Sequence, residues 1–275
     1  MKNILCPYDF SQKAEKALLY ANDLAMRTGG KVILYYAYHF PVYVHADDIM
    51  STDQDSHEDE IKDNLEGLCR DLAKENFGKE VDYEFVVKKG LFLDTISSVV
   101  KEKRIDMIVM GTDGASGLKD LLGSTFSESV AQKVVCPVLI IPGSTAFKRV
   151  SRIVYASELN GGEEQILKYI IHFASLYSSY IDVVHIADEY NPEVEDIAKS
   201  FIESLALKLN YDKLKFHLVA GDEVFAGLIT FSKEEFANLL VVAPNQKSFF
   251  DRLFAKSHTK ELARHSDIPL LVVKK

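Results

Sequence analysis

Hydrophobic and polar positions change period twice within the first 40 residues. KNILCPY is a short apolar run of the kind that makes a buried strand. In DFSQKAEKALLYANDLAMRTG the apolar residues Ala14, Ala17, Leu18, Ala21, Leu24 and Ala25 fall at helical spacing. Asp9 or Ser11 is placed to cap the start of that helix and Gly29-Gly30 to stop it. KVILYYAY returns to a β-branched and aromatic strand. The same reading predicts a helix over roughly 58–76, a strand over 81–88 ended by Gly90 and a helix in LDTISSVVKEKR. A strand in IDMIVMG, a helix in TFSESVAQKVV and a last strand in CPVLIIP follow. Strands alternating with helices imply parallel pairing through right-handed crossovers, and so a doubly wound α/β domain.

The pattern then repeats. Residues from 151 align without gaps to the start of the chain at an offset of 149, which sets Ile4 on Ile153, Asp9 on Glu158 and Val32 on Ile181. Further on the offset is 132: IDMIVMG lies over ANLLVVA, Leu121 over Leu253, Ala131 over Ala263 and CPVLII over IPLLVV. The change of 17 falls mainly after the second strand, where the first copy carries PVYVHADDIMSTDQDS. Self-similarity at this length means two tandem copies of one fold, 1–143 and 150–275, joined by a linker from Gly143 to Arg149. The apolar fifth strands, CPVLII and IPLLVV, would be hazardous as open edges. They are expected to pair or be buried together about a pseudo-twofold axis, giving an intramolecular pseudo-dimer, with further dimerisation left open.

Composition narrows the function. A formal charge of -9 leaves no excess of Lys and Arg to neutralise phosphates, so no nucleic-acid partner is expected. No apolar run approaches the ~20 residues that span a bilayer, and MKNILCPYDF lacks a signal-peptide layout, so no membrane partner is expected. The odd, widely spaced Cys6, Cys69 and Cys136 fit a reducing cytoplasm, with Cys6 and Cys136 as small buried hydrophobes. DQDSHEDE (53–60) reads as a solvated loop running into a helix start; it lacks the glycine and spacing of a calcium loop, and no metal site is expected.

The chain resembles the universal stress protein family in tandem form. The resemblance rests on ILCPYDFSQKAEKAL, the junction DMIVMGTDG and the ending VVCPVLII, taken together and in this order. It implies in each copy a five-stranded parallel sheet of order 3-2-1-4-5 flanked by helices, and a cytoplasmic stress-response role, in a family whose members either bind ATP or do not. The ATP-binding branch carries Gly-x2-Gly-x9-Gly-Ser/Thr after its fourth strand. Here Gly111 and Gly114 match, Ser124 stands in the third glycine position and Thr125 in the Ser/Thr position. In the second copy the same positions are Ala243, Gln246, Lys256 and Ser257, so its motif is degenerate.

Two readings of the glycine-rich stretch MGTDGASGLKDLLGSTF stand side by side. In one, Gly111 ends a strand, Gly114 and Gly117 permit turns, and Ser124 or Thr125 caps a helix. In the other, the stretch cradles phosphates. In a sheet of this order, ligands sit beyond the carboxyl ends of strands 1 and 4, where Asp9 and Met110-Gly111 fall, and glycine backbone and the next helix start favour an anion. What the resemblance implies is ATP, with Mg2+, at Pro7, Asp9, Ala37, Met110, Gly111, Gly114, Ser124, Thr125 and Phe126, with Ala37 leaving room for the adenine. Tyr38 is left to the ring or to packing under the long loop.

Copy two is then structural, its cleft filled by Phe249, Phe250 or Phe254 of FFDRLF, or those rings face copy one. No catalytic Ser-His-Asp order, Cys-His pair or lysine-bearing phosphate loop is present, so at most slow ATP hydrolysis is expected. The alternative is an interaction scaffold that binds no nucleotide.

Overall fold

The computed structural model describes residues 1–39, 52–75, 81–112, 126–159, 162–243 and 267–274. The first half runs β1 (Asn3–Pro7), α1 (Gln12–Thr28), β2 (Lys31–Tyr38), α2 (Thr52–Glu75), β3 (Asp82–Lys89), α3 (Phe92–Glu102), β4 (Met107–Thr112), α4 (Phe126–Lys133) and β5 (Val138–Pro142). The second runs β6 (Arg152–Ala156), α5 (Glu163–Ser175), β7 (Tyr180–Ala187), α6 (Pro192–Lys208), β8 (Leu214–Ala220), α7 (Val224–Glu234), β9 (Leu239–Val242) and β10 (Leu270–Val272). Their strands form one ten-stranded sheet, β3-β2-β1-β4-β5-β10-β9-β6-β7-β8. Each half has the expected order, and every pairing is parallel except the central one, where β10 meets β5 antiparallel with Leu271 opposite Leu139.

The expected pairing of the fifth strands is therefore the seam of the molecule. Along it both sheet faces stay apolar, so two cores run through both halves. One holds Ile4, Leu24 and Val32 with Ile153, Phe173 and Val241; the other holds Leu5, Ile108 and Ile140 with Val154, Leu228 and Val272. The linker is packed against both halves: Thr145 is buried and its hydroxyl donates to the Asp267 carbonyl of the second at 2.6 Å, and Phe147 meets the Tyr20 ring of the first edge-on at 4.8 Å. Where α1 and α5 end, the Arg27 guanidinium lies 4.4 Å from the Tyr177 ring and donates to the Leu176 carbonyl.

The halves repeat backbone geometry more faithfully than side chains. Left-handed residues recur at aligned positions: Phe10 (φ 59°) with Leu159 (φ 50°), Gly29 (φ 56°) with Ser178 (φ 57°), and Arg104 (φ 49°) with Phe236 (φ 55°). Asp106 accepts the backbone N–H groups of Lys2 and Asn3 at 2.6 and 3.0 Å; its counterpart Asn238 accepts those of Ser151 and Arg152 at 2.8 and 3.1 Å. Either side chain closes the start of its first strand, because the job needs one acceptor oxygen and no charge.

One expectation is corrected. Helix α2 begins at Thr52, so DQDSHEDE is helical and not a loop. Acidic residues suit a helix start, and Glu58 is pinned there, accepting the Tyr38 hydroxyl and pairing with Lys62 at 2.7 Å. Tyr38 is thus buried against α2. The three cysteines are free, with Cys6 and Cys136 buried as expected. No helix among the described residues is long and apolar enough to cross a membrane.

Ser178 is exposed and holds the conformation that Gly29 supplies in the first half. A non-glycine residue is strained there, so Ser178→Gly should raise stability by about 0.5–1 kcal/mol, after the entropy that glycine adds to the unfolded chain. A urea denaturation midpoint that stays put or falls would refute this.

Candidate functional site

At the carboxyl ends of β1, β2 and β4 a cleft of about 260 Å³ opens, lined by Pro7, Tyr8, Asp9, Lys13, Ala14, Tyr35, Tyr36, Ala37, Phe92, Met110 and Gly111. This is the switch point of the first half, where the connection from β1 leaves over one face and that from β4 over the other. Pro7, Asp9, Ala37, Met110 and Gly111, expected from the sequence, are brought together here. Gly114, Ser124 and Thr125 lie outside the described residues, and Phe126 is described only as the first residue of α4.

The shape of the cleft follows from how the chain leaves β1. Phe10 turns it through a left-handed conformation, and Ser11 caps α1 by accepting the Ala14 N–H at 3.3 Å. Ser11 is therefore the cap, and Asp9 supports it: its Oδ1 accepts the Ser11 N–H at 3.2 Å and the Ser11 hydroxyl. Asp9 Oδ2 stays at the mouth of the cleft, 4.0 Å from the Lys13 ammonium. One wall is built by Tyr35, whose ring stands 5.2 Å from Phe92 and whose hydroxyl bonds Thr95 at 2.5 Å. Ala37 follows two residues later on the same face of β2, and it and the partly buried Phe92 pack against the same core and both line the cleft. Beneath the cleft, burial pushes the Cys6 thiol up to about 12 and the Tyr8 phenol, helped by nearby Glu15, up to about 12. Both are neutral at physiological pH, which makes Cys6 an apolar filler and not a nucleophile.

Gly111 has a structural cause. A Cβ there would lie 2.3 Å from the Lys13 carbonyl oxygen and 2.7 Å from its carbon, so the backbone of α1 occupies the space a side chain would need. The sequence does not display this contact, because the partners are 98 residues apart in the chain. Lys13, which brings a cation to the cleft, was also missed; its signal is the i,i+4 spacing from Asp9 across the helix start.

In the second half the corresponding positions have changed together. Ala37 is replaced by Ile186, 8% exposed, whose Cδ1 lies 3.0 Å from where a Cβ on Gly227 of α7 would sit. Met110 and Gly111 become the buried Val242 and Ala243, and Lys13 becomes Gly162. So where the first half has lysine in the first turn of the helix and glycine in the strand, the second has glycine at the helix cap and alanine just past the strand. Ile186 fills the place that Ala37 leaves open. Phe249, Phe250 and Phe254, expected to fill it, lie outside the described residues.

The profile of the universal stress protein family matches the chain twice, over residues 1–142 and 150–274. Universal stress protein MJ0577 of Methanocaldococcus jannaschii is 29% identical over 154 residues, which cover 51% of this chain and 94% of that protein. Universal stress protein YxiE of Bacillus subtilis is 38% identical over 87 residues, covering 30% of this chain and 59% of YxiE. The crystal structure of a universal stress protein from Archaeoglobus fulgidus superimposes with a TM-score of 0.72 at 16% identity, over 99% of this chain and 96% of that one. At that identity the likeness is one of fold.

The close approach at Gly111 makes a definite demand. Gly111→Ala should cost about 1–3 kcal/mol, as overpacking against main chain does, because neither β4 nor the first turn of α1 can yield by rotating a side chain. An unchanged denaturation midpoint would show that α1 is not seated on β4 as described.

Proposed function

The chain belongs to the universal stress protein family, and on that premise we propose that its first half binds an adenine nucleotide, ATP with Mg2+, as a regulatory ligand, while its second half is a structural partner. The observation that carries this reading is the single cleft that gathers Pro7, Asp9, Ala37, Met110 and Gly111 at the switch point. Its described volume of about 260 Å³ suits a nucleoside. Adenine lies against the small Ala37, beside Pro7 and Asp9. The phosphates extend toward the glycine-rich stretch that begins at Gly111 and runs on through Gly114 to Ser124, Thr125 and Phe126. The backbone N–H groups of that stretch and the start of α4 supply the anion contacts. Lys13 adds positive charge at the mouth, in a chain whose net charge of -9 otherwise repels phosphates. The bound metal would offset phosphate charge.

Turnover is slow at most. The described lining offers one cation and one carboxylate, and the carboxylate already holds Ser11. Among the described residues no second positive group stands ready for the charge that develops on a transferring phosphoryl. The ligand is therefore read as a signal, in a cytoplasmic stress response. The second half supports this division of roles, since the larger Ile186 and Ala243 and the branched Val242 are buried at the positions of Ala37, Gly111 and Met110.

Calorimetry on the full chain with ATP, with and without Mg2+, tests the reading; no heat and no competition at millimolar nucleotide would leave the scaffold alternative. Ala37→Ile copies the second half into the first. It should weaken nucleotide binding by about tenfold or more, a loss of about 1.4 kcal/mol. Glu158→Gln, at the counterpart of Asp9, should leave affinity unchanged. Equal affinity in Ala37→Ile and wild type would remove the adenine from this cleft.

A further inference from the structure

A second cleft, of about 540 Å³, lies in the other half between the start of α5, with Ser157 just after β6, and the first three turns of α6. Its size falls in the range of small-molecule sites. The walls are apolar, formed by Leu159, Val194, Ile197, Phe201 and Ile202. Three of these face water at substantial cost: Ile197 is 72% exposed, Phe201 43% and Val194 37%.

Within this apolar lining stands a carboxylate. Glu163, the first residue of α5, is only 5% exposed. Its Oε2 accepts the Tyr155 hydroxyl at 2.8 Å. Burial, and then the charge of Glu163 itself, push the Tyr155 phenol far above its ordinary range, so it remains a donor at every physiological pH. Oε1 is buried with no hydrogen-bond partner among the described residues. The ammonium groups nearby are engaged elsewhere: Lys168 and Lys208 both pair with Glu164, at 2.8 and 2.7 Å. A buried carboxylate oxygen without a donor is costly, and a cation hydrogen-bonded to it relieves both the missing bond and the charge. The first half has nothing comparable, since Ala14 and Cys6 stand in place of Glu163 and Tyr155.

We propose that this cleft binds a small hydrophobic amine, whose ammonium donates to Glu163 Oε1 and whose apolar body lies along α6 against Val194, Ile197 and Phe201. The chemistry sets the selectivity. An uncharged analogue gains the apolar contact and loses the charge-assisted bond, and an anion is repelled by Glu163.

The test is titration of the full chain with phenethylamine and with its uncharged counterpart 2-phenylethanol, followed by calorimetry. The amine should bind about tenfold more tightly than the alcohol, as a charge-assisted bond in an apolar site requires. Glu163→Gln keeps the Tyr155 hydrogen bond and should abolish that preference. Ile197→Ala, at an exposed side chain whose loss the fold tolerates, should weaken both probes about threefold or more, through lost apolar contact. If Glu163→Gln does not fold, the amine-over-alcohol preference in the wild type and the Ile197→Ala loss decide alone. Absence of binding at millimolar amine, equal affinity for the two probes, or unchanged amine affinity in either variant would overturn the proposal.

Discussion

The structure depends on closing one edge. β5 is VLIIP, buried along its whole length, and β10 is equally apolar. A parallel sheet with such an end strand cannot leave it bare, because unpaired N–H and C=O groups beside apolar side chains recruit other chains. Two copies related by a twofold axis can join like strands only antiparallel, which is the pairing of Val138, Leu139 and Ile140 with Val272, Leu271 and Leu270. Both faces of the sheet then continue across the join and so do both cores. The candidate cleft depends on this too: Met110 and Gly111 on β4 pair with Ile140 and Ile141 on β5, so the strand that backs the site is one step from the seam. The free edges of the molecule move outward to β3 and β8, which carry charge in Glu84, Lys88, Lys89 and Lys215 and are only partly buried.

What the sequence made legible is what periodicity and internal alignment record. The sequence of strands and helices and their parallel pairing follow from apolar spacing repeated at two offsets; the strand order within each half is what the family resemblance implies, and the pairing of terminal strands follows from the cost of an open apolar edge. The start of α2 was misread because DQDSHEDE has no apolar residue to set a helical period, and composition favoured a loop; what holds it is the reach of Tyr38 to Glu58, a contact between elements. The site was legible in part. Asp9, Met110 and Gly111 were found because the switch-point rule ties them to strand ends, and Pro7 and Ala37 because the family resemblance implies them. Lys13 was not, since a lysine on the first turn of a helix looks like any solvated charge. Gly111 was found for an incomplete reason: its missing side chain makes room for α1 whether or not a ligand lies beyond.

Comparison of the halves shows what the fold holds fixed and what it lets drift. Left-handed turns recur at Phe10 and Leu159 although one side chain is aromatic and the other aliphatic, and at Arg104 and Phe236 although one is charged. The chain path between elements is the constraint, and each residue there bears about 1 kcal/mol or more of backbone strain to keep it. Positions paired between elements have changed together. Gly111 with Lys13 became Ala243 with Gly162, and Cys6 with Ala14 became Tyr155 with Glu163. In the second exchange two small residues gave way to a phenol and a carboxylate that bond one another. A single change would have left a buried hydroxyl or carboxylate without any partner, so only the pair is stable.

The same comparison explains why the two clefts differ in position. The connection from the second strand to the next helix spans residues 39–51 in the first half and only 188–191 in the second. So short a link sets α6 down immediately after β7, with Asn191 capping it through the Glu193 and Val194 N–H groups and Pro192 opening its first turn. Its leading residues, Val194 and Ile197, thereby come alongside the start of α5, where Glu163 stands. Meanwhile Ile186 near the end of β7 closes the strand-end cleft from the other face. Shortening the link and enlarging Ala37 to Ile186 thus act on opposite faces of one strand. Among the described residues the cleft of the second half keeps Ser157, Gly162 and Glu163, the counterparts of Tyr8, Lys13 and Ala14, but opens toward α6 and not over the strand ends. A duplicated fold can relocate a cavity in this way without changing the order of a single strand.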